Sequence, residues 1–435
     1  MLHLDTGNTG FMILCTSLVM LMTPGLAFFY GGLVGRKNVL AIMIQSFVSM
    51  GWTTVIWYLY GYSLCFSGDW HGIIGNLDQF CLHGVNLSTP SPLNNTVPAM
   101  VFIAYQMATA IITPALITGA FTNRVTFKGY MWFLTAWLTF VYFPFVHMVW
   151  GGGLLQRWGV QDFAGGIVVH NIAGFAALAS VFYVGRRRLL DRGPNSIPLF
   201  ALGAALLWFG WYGFNAGNEM QVDSVTGTAF LNTQIAAGFA AIAWMAVAWW
   251  RDGKPKLVAL LTGALAGLVT ITPAAGYVSP ASAMIVGVAS GVICYLAVEV
   301  KNKLHWDDAL DVWGVHGVGG VLGILMLGLF ANSAFNPAGT NGLLHGNPGF
   351  FFKQLVAVLF SSAWAFGFTY AMLGIIDRFT PVKVDEMSEE LGLDESIHGE
   401  HAYETLEVEE FFNNDGHHVT IEHADEEYEL VGPRK

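Results

Sequence analysis

Long stretches without a charged residue recur along almost the whole chain. They cover residues 6–35, 38–68, 79–123, 129–156, 163–185, 193–218, 224–250, 257–298, 312–352 and 354–376. A helix needs about 20 apolar residues to cross the hydrocarbon core of a bilayer, and most stretches hold one such helix. Stretch 257–298 holds two, divided at Pro273–Pro280, and only the second half of 79–123 crosses, because Ser88–Pro98 is polar. The pattern predicts an all-α polytopic membrane protein with eleven transmembrane helices.

Charged residues are too few to cover the surface of a soluble protein. They make up 11% of the chain, against roughly 25% in soluble domains. The net charge of −11 comes mainly from acidic residues between Asp385 and Glu429. We therefore predict a membrane domain at 1–380 in contact with the lipid bilayer, and a cytoplasmic acidic tail at 381–435. No basic patch interleaved with aromatic residues indicates a nucleic-acid partner.

The basic residues predict the orientation of the helices. If the N-terminus is outside and the helices alternate, 17 of the 19 basic residues fall in inside segments, and only Arg157 and Lys353 fall outside. Inside loops of membrane proteins are enriched in Lys and Arg. An error of one helix would scatter these charges over both faces. The N-terminus is therefore expected outside and the C-terminus inside.

Two histidines lie in otherwise apolar, glycine-rich stretches. The fifth predicted helix begins Asp162-Phe-Ala-Gly and carries His170, and the tenth begins Asp311-Val-Trp-Gly and carries His316. This echo fits two five-helix halves of opposite orientation with an eleventh helix added, and such inverted repeats hold the substrate path between them. An ionisable residue at membrane depth is a functional candidate by default. Two adjacent neutral imidazoles can share one proton and offer their outer nitrogens to a small solute or a proton, although two unrelated structural histidines remain the alternative.

Other candidate site residues have two interpretations each. Asp162 fits a helix N-cap, and it could instead contact a cation. Trp150 ends the fourth predicted helix, where an interfacial tryptophan is common, and a cation–π role is the alternative. Phe214 and Asn218, at the outer end of the sixth helix, have the same ambiguity.

The cysteines and the catalytic side-chain types point to no further chemistry. The four cysteines show no CxxC or Cys/His ligand spacing, so the sequence indicates no metal and no cofactor. Cys65 and Cys81 fall in or near one outer loop, and whether they pair is left open. No nucleophile, base and orienting residue occur together, so we do not predict an enzyme.

Seven short segments of the chain form a recognisable set. They are Phe29-Tyr-Gly-Gly-Leu-Val-Gly-Arg-Lys-Asn38, His147-Met-Val-Trp-Gly-Gly-Gly153, Asp162-Phe-Ala-Gly-Gly-Ile-Val-Val-His170, Trp211-Tyr-Gly-Phe-Asn-Ala-Gly217, Asp311-Val-Trp-Gly-Val-His-Gly317, Gly392-Leu-Asp394 and His398-Gly-Glu-His-Ala-Tyr403. In this order they resemble the ammonium transporter family, the Amt/Mep/Rh superfamily, and its bacterial and archaeal Amt branch in particular. The resemblance runs from about residue 8 to residue 403.

The resemblance implies a homotrimer in the cell (inner) membrane with one pore per subunit. It implies that ammonium binds at an outer site that includes Trp150 and loses its proton there. Ammonia then passes twin histidines at His170 and His316, and the proton follows separately. Asp162 would be structural. Methylammonium is a candidate second substrate, and a PII-type (GlnK-like) regulatory protein would dock on the cytoplasmic face.

Two positions depart from the family pattern at the outer site. The family usually stacks two phenylalanines there; Phe214 matches one, and Thr109 stands at the other position, with Tyr105 one turn earlier. Asn218 stands where a serine commonly holds the ion. Thr109 would widen and wet the gate, while Asn218 could hold the ion more tightly or block it. An ammonium sensor that binds ammonium with little transport and signals through the tail is therefore the alternative to a transporter.

The C-terminal segment divides into two parts. Val384–Tyr403 resembles the family's cytoplasmic regulatory tail. Residues 404–435 extend beyond the pattern and are acidic. They are interpreted as a solvated, partly disordered segment or as a docking segment for a partner.

Overall fold

The computed structural model describes residues 1–189 and 193–403, together with the backbone of three strands beyond residue 403. Ten helices in these residues are long and apolar enough to cross a membrane, and Leu257–Ile271 is an eleventh, shorter apolar helix of 15 residues. The predicted division of stretch 257–298 into two helices is confirmed. The helices are α1 Thr6–Leu33, α2 Arg36–Phe66, α3 Ala99–Phe121, α4 Phe127–Trp158, α5 Gly166–Val184, α6 Ile197–Glu219, α7 Ser224–Asp252, α8 Leu257–Ile271, α9 Pro280–Lys303, α10 Trp313–Phe330 and α11 Pro348–Ile376.

Glycines let helices α5 and α10 touch backbone to backbone. A Cβ atom added to Gly174 of α5 would lie 2.1 Å from the amide nitrogen of Gly317 in α10. Lipid tails are as apolar as leucine, so helices in a bilayer associate through close packing of small residues rather than through the hydrophobic effect. The glycines that the sequence places beside each histidine therefore bring the two histidine-bearing helices into direct contact.

Helices α5 and α10 also begin with the same irregularity. Each starts with a π-helical turn, Gly166–Asn171 in α5 and Trp313–Gly317 in α10. His170 and His316 both lie inside these turns. A π turn is rare, often occurs at functional sites, and rotates the following side chains relative to a regular helix. The two helices thus share a local structure as well as a histidine.

The tail up to Tyr403 packs against one end of the helix bundle, which we call the inner end. The Asp394 carboxylate accepts the backbone N–H groups of Leu40 at 3.1 Å and Ala41 at 2.7 Å, and so caps the first turns of α2. The N–H of Leu393 donates to the Asn38 side chain at 2.9 Å. A short helix, α12 (Glu386–Leu391), precedes this contact. The tail is held here by these hydrogen bonds and by a small apolar cluster of Ala41, Val384, Leu393 and Ile397.

Loops at the opposite, outer end also contact one another. The Asn94 amide donates to the carbonyl of Met220 at 2.9 Å, and the Val222 N–H donates to the Asn8 side chain at 2.9 Å. Cys65 and Cys81 are both free, and Cys65 is buried with its thiol directed at the Phe143 carbonyl. The open question of a disulfide between them is thereby answered in the negative.

Beyond Tyr403 the backbone forms a three-stranded antiparallel meander. Its strands are β1 (Glu407–Phe412), β2 (His418–Ala424) and β3 (Glu427–Val431), with β2 in the centre. The prediction of an all-α chain holds for the membrane part and is wrong for this segment. The alternation of Val419 and Ile421 with polar residues in β2 is the sequence pattern of a strand, and the strongly acidic composition obscured it.

Candidate functional site

His170 and His316 meet in the centre of the bundle. Their Nδ1 atoms lie 3.3 Å apart, and both side chains are buried, with exposures of 1% and 8%. One ring must donate and the other must accept in such a contact, so the neutral pair shares one proton. The Nε2 atom of His170 has no hydrogen-bond partner among the described residues. A buried polar atom without a partner is costly, and a hydrogen-bonding solute beside the ring would satisfy it.

The histidines line an internal cavity of about 360 Å³. Its walls are largely apolar, with Phe214 towards the outer end and Trp211 stacked at 5.5 Å on the His170 ring. Arg187 and Asp311 line its inner end. An ion would lose its hydration shell among these walls at high cost, whereas a small neutral molecule would lose much less. The cavity therefore favours a neutral solute over a cation.

Asp162 holds the start of α5. Its carboxylate accepts four backbone N–H groups, those of Gly165 at 2.9 Å, Gly166 at 2.7 Å, Ile167 at 2.7 Å and Val168 at 3.3 Å. Burial raises the pKa of the Asp162 carboxyl, while these four hydrogen bonds act in the opposite direction. Because both carboxylate oxygens are occupied by amides, the geometry favours the N-cap interpretation over direct contact with a cation.

Trp150 is fixed to the same loop. Its indole N–H donates to the backbone carbonyl of Asp162 at 2.9 Å, and the side chain is partly exposed at the outer end of the bundle. The indole orientation is thus set by the residue that caps the histidine-bearing helix. Trp150 is outside the cavity that the histidines line, as the described part of the chain defines it.

Phe214 separates this cavity from the outer end. Its ring lines the cavity and lies 6.2 Å from His170. Its carbonyl accepts the Tyr105 hydroxyl at 2.7 Å and the Asn218 amide at 2.8 Å. Thr109 is buried, and its hydroxyl turns back to the Tyr105 carbonyl at 3.3 Å. Tyr105, which the sequence analysis mentioned only as a neighbour, therefore connects α3 to Phe214, whereas the Thr109 hydroxyl stays with its own helix.

The orientation of the Asn218 amide follows from its neighbours. A backbone carbonyl can only accept a hydrogen bond, so the Asn218 atom that contacts the Phe214 carbonyl must be the NH₂ nitrogen. The same nitrogen lies 3.0 Å from the Tyr105 hydroxyl. The Asn218 oxygen consequently points away from these groups. No donor among the described residues bonds to this oxygen, so it can accept a hydrogen bond from a solute.

Comparisons with known proteins place the chain in a family. The model of the Ammonium Transporter Family matches residues 10–403. The chain belongs to the ammonium transporter family. It is 41% identical to the ammonium transporter of Bacillus subtilis over 92% of this chain and 99% of that protein. The Candida albicans Mep2 structure aligns with a TM-score of 0.83 and 37% identity over 88% of each chain. A structure described as a sensor Amt protein aligns with a TM-score of 0.82 and 28% identity, over 89% of this chain and 97% of that one.

Within this ammonium transporter fold, the aspartate that caps α10 as Asp162 caps α5 is Asp308. The Asp308 carboxylate accepts the N–H groups of Val312 at 3.1 Å and Trp313 at 2.8 Å, at the start of α10. His170 and His316 each follow their capping aspartate by eight residues. The echo drawn between Asp162 and Asp311 is therefore wrong, since Asp311 bonds to Lys301 at 2.6 Å.

His147 is a second site residue to which the sequence analysis assigned no role. It is fully buried one turn before Trp150, with Nδ1 at 3.0 Å from the Cys65 carbonyl and Nε2 at 2.9 Å from the Asp69 carboxylate. Hydrogen bonds from His147 and Arg157 hold the pKa of Asp69 below its usual range, against some desolvation. The network ties the outer loop after α2 to the end of α4 that carries Trp150. Only its place in the motif His147–Gly153 could have indicated it from sequence.

The side-chain oxygen of Asn218 gives a first prediction. Asn218→Ala removes that oxygen, and we expect ammonium or methylammonium binding to weaken about three- to tenfold, the range of one ordinary hydrogen bond. Asn218→Ser, which restores a hydroxyl acceptor, should stay within about threefold of wild type. Isothermal titration of purified protein in detergent measures both constants. Equal affinity in the alanine variant and wild type would show that Asn218 does not contact the ion.

Proposed function

We propose that this chain carries ammonium across a membrane, with ammonia as the species that passes the histidine pair. The observation that carries the proposal is the contact of His170 and His316 in a largely apolar cavity. Ammonium has no favourable place among these walls, because its dehydration is not compensated there. Ammonia has both a lone pair and N–H donors. It can therefore bond to the outer nitrogens of the pair.

The proposed path begins at the outer end, where Trp150, Phe214, Asn218 and Thr109 surround the entry. Ammonium binds there by cation–π and hydrogen-bonding contacts and loses its proton, and ammonia enters the cavity. When His170 Nδ1 carries the shared proton, His170 Nε2 accepts from the solute and His316 Nε2 donates to it. Moving the shared proton to His316 exchanges the two roles. The pair can thus form hydrogen bonds with ammonia as it passes, and it offers the released proton a separate route.

Contacts between loops support eleven crossings with the N-terminus outside. Arg187, after α5, pairs with Asp307, before α10, at 2.8 Å, so these loops lie at the same end. Four helices, α6 to α9, lie between these two loops in the chain. The chain returns to the same end only after an even number of crossings, so the short α8 must cross as well. The tail and these basic loops share the inner end, which fits a cytoplasmic C-terminus.

We further propose a homotrimer in the cell (inner) membrane, regulated from its cytoplasmic face by the tail at 381–435 and a PII-type (GlnK-like) protein. The family resemblance is the basis of these three proposals. The capping of α2 by Asp394 is the contact through which the tail can act on the membrane domain, because α2 runs from this cap to the outer loops.

The sensor is the alternative function. It is favoured by the departures at Thr109 and Asn218 and by the structural neighbour described as a sensor Amt protein. Uptake of ¹⁴C-methylammonium by cells that lack their own ammonium transporters separates the two functions. A transporter gives saturable uptake that ammonium competes away. Cells that express the protein at the membrane and take up no more label than empty-vector cells would favour the sensor.

Tail docking gives a second prediction. Asp394→Ala removes the acceptor of two α2 amides and should release the segment 384–403. Loss of a cap and its charge costs roughly 1–2 kcal/mol. Trypsin should therefore cleave after Lys383 at least about fivefold faster than in the wild type. Glu400→Ala removes an exposed acid from the same segment and serves as the control, with an unchanged cleavage rate. Equal rates in wild type and Asp394→Ala would mean that other contacts hold the tail.

A further inference from the structure

Most acidic residues at the outer end already have a structural partner. Asp5 caps α1 by accepting the Asn8 N–H at 2.7 Å, and Asp223 caps α7 by accepting the Val225 N–H at 2.8 Å. Asp69 pairs with His147 and Arg157, and Asp162 caps α5. These carboxylates are therefore accounted for by the fold.

Glu219 has none of these roles. It is half-buried at the last residue of α6 and caps no helix. Its one hydrogen bond is a long one, accepted from the Gln221 side chain at 3.4 Å, and within the described residues it has no cationic partner. A carboxylate that is partly withdrawn from water without a counter-charge is costly. A cation from solution would remove that cost.

Its position puts this carboxylate at the outer site. Glu219 directly follows Asn218, whose side-chain oxygen has no hydrogen-bond donor among the described residues. Burial raises the pKa of the Tyr277 hydroxyl, and the negative charges of Glu219 and Asp162 raise it further. That ring packs edge-on at 5.4 Å against Phe163, the residue after Asp162. By its place in the chain, Glu219 lies at the outer end of α6, directly beside Asn218.

We propose that Glu219 recruits the ammonium or methylammonium cation at the outer mouth, together with the oxygen of Asn218. This inference rests on the proposed function and deepens it. The cation can donate one N–H to the carboxylate and one to the amide oxygen, and both contacts favour the charged form of the substrate. A carboxylate contact stabilises ammonium against loss of its proton. Deprotonation therefore takes place after the ion leaves Glu219, and Glu219 sets the concentration dependence of uptake rather than its maximal rate.

The test compares Glu219→Gln with Asp78→Asn. Both remove one negative charge from the outer surface, but Asp78 is an exposed loop residue that bonds to Asn76. We expect Glu219→Gln to raise the KM for methylammonium uptake about five- to tenfold, the size of one partly screened charge contact, with the maximal rate within twofold of wild type. Asp78→Asn should leave KM unchanged. An unchanged KM in Glu219→Gln, or equal shifts in both variants, would overturn the proposal.

Calorimetric binding of ammonium to the purified variants separates this inference from the proposed transport. If the wild type binds ammonium without uptake, the transport proposal fails, and five- to tenfold weaker binding by Glu219→Gln still supports the role of Glu219. If uptake is normal and both variants bind like the wild type, transport stands and the role of Glu219 is refuted. A wild type that neither binds nor transports ammonium refutes both.

Discussion

Asp162→Ala is expected to prevent the protein from folding stably. The substitution leaves up to four backbone N–H groups at the start of α5 without their acceptor, and each orphaned buried donor costs about 1–3 kcal/mol. The sum is comparable to the whole stability of a typical domain, about 5–15 kcal/mol. Fluorescence-detected size-exclusion chromatography of the detergent-solubilised protein should show aggregate in place of the wild-type peak.

Two variants make this result interpretable. Asp308→Ala removes the acceptor of two amides in α10 rather than four, so it should lower the melting temperature by less and leave a measurable folded fraction. Asp162→Asn keeps one acceptor oxygen and should fall between wild type and Asp162→Ala. If Asp162→Ala instead folds with wild-type stability and loses only uptake, then Asp162 contacts the substrate and the N-cap interpretation is wrong.

His170→Ala and His316→Ala should each reduce ammonium-evoked current at least about tenfold, because each removes one partner of the shared proton and one hydrogen-bonding nitrogen from the cavity. The alanine also leaves the remaining ring without its partner. His345→Ala, at an exposed loop residue, is the control and should conduct like wild type.

The double variant tests whether the histidines act as a unit. Residues that act together give non-additive effects, so His170→Ala combined with His316→Ala should conduct about as well as the worse single variant. Effects that multiply would indicate two independent roles. Wild-type current in both single variants would remove the pair from the mechanism.

The helical frame could be predicted from the sequence because charge spacing and bilayer thickness determine it. The division of stretch 257–298 into α8 and α9 follows from the Pro/Gly-containing segment at 273–280. The aspartate that caps α10 could not be predicted in the same way, because the letters Asp-x-x-Gly indicate Asp311. The true counterpart, Asp308, is defined by which carboxylate reaches the amides of α10, and that depends on the path of the loop before the helix.

The outer site was the least predictable part. Thr109 and Asn218 could be located from sequence, but the hydrogen bonds that join the Tyr105 hydroxyl to Phe214 and Asn218 depend on how α3 and α6 pack. Likewise, His147 meets Asp69 only because a loop some 80 residues earlier in the chain folds over α4. Contacts between distant segments leave no local periodicity to read. The partner of each polar group at this end therefore had to come from the structure.

Flux and binding measured on the same proteoliposomes test the central claim most directly. Purified protein is reconstituted into liposomes, ammonium pulses are applied, and the evoked current is recorded. Calorimetry over the same ammonium concentrations measures the fraction of protein that has bound ammonium. We expect current that saturates with occupancy and that is lost in His170→Ala while ammonium binding is retained. Saturable ammonium binding by the wild type with no current and no internal pH change would contradict transport through the histidine pair and would favour a sensor.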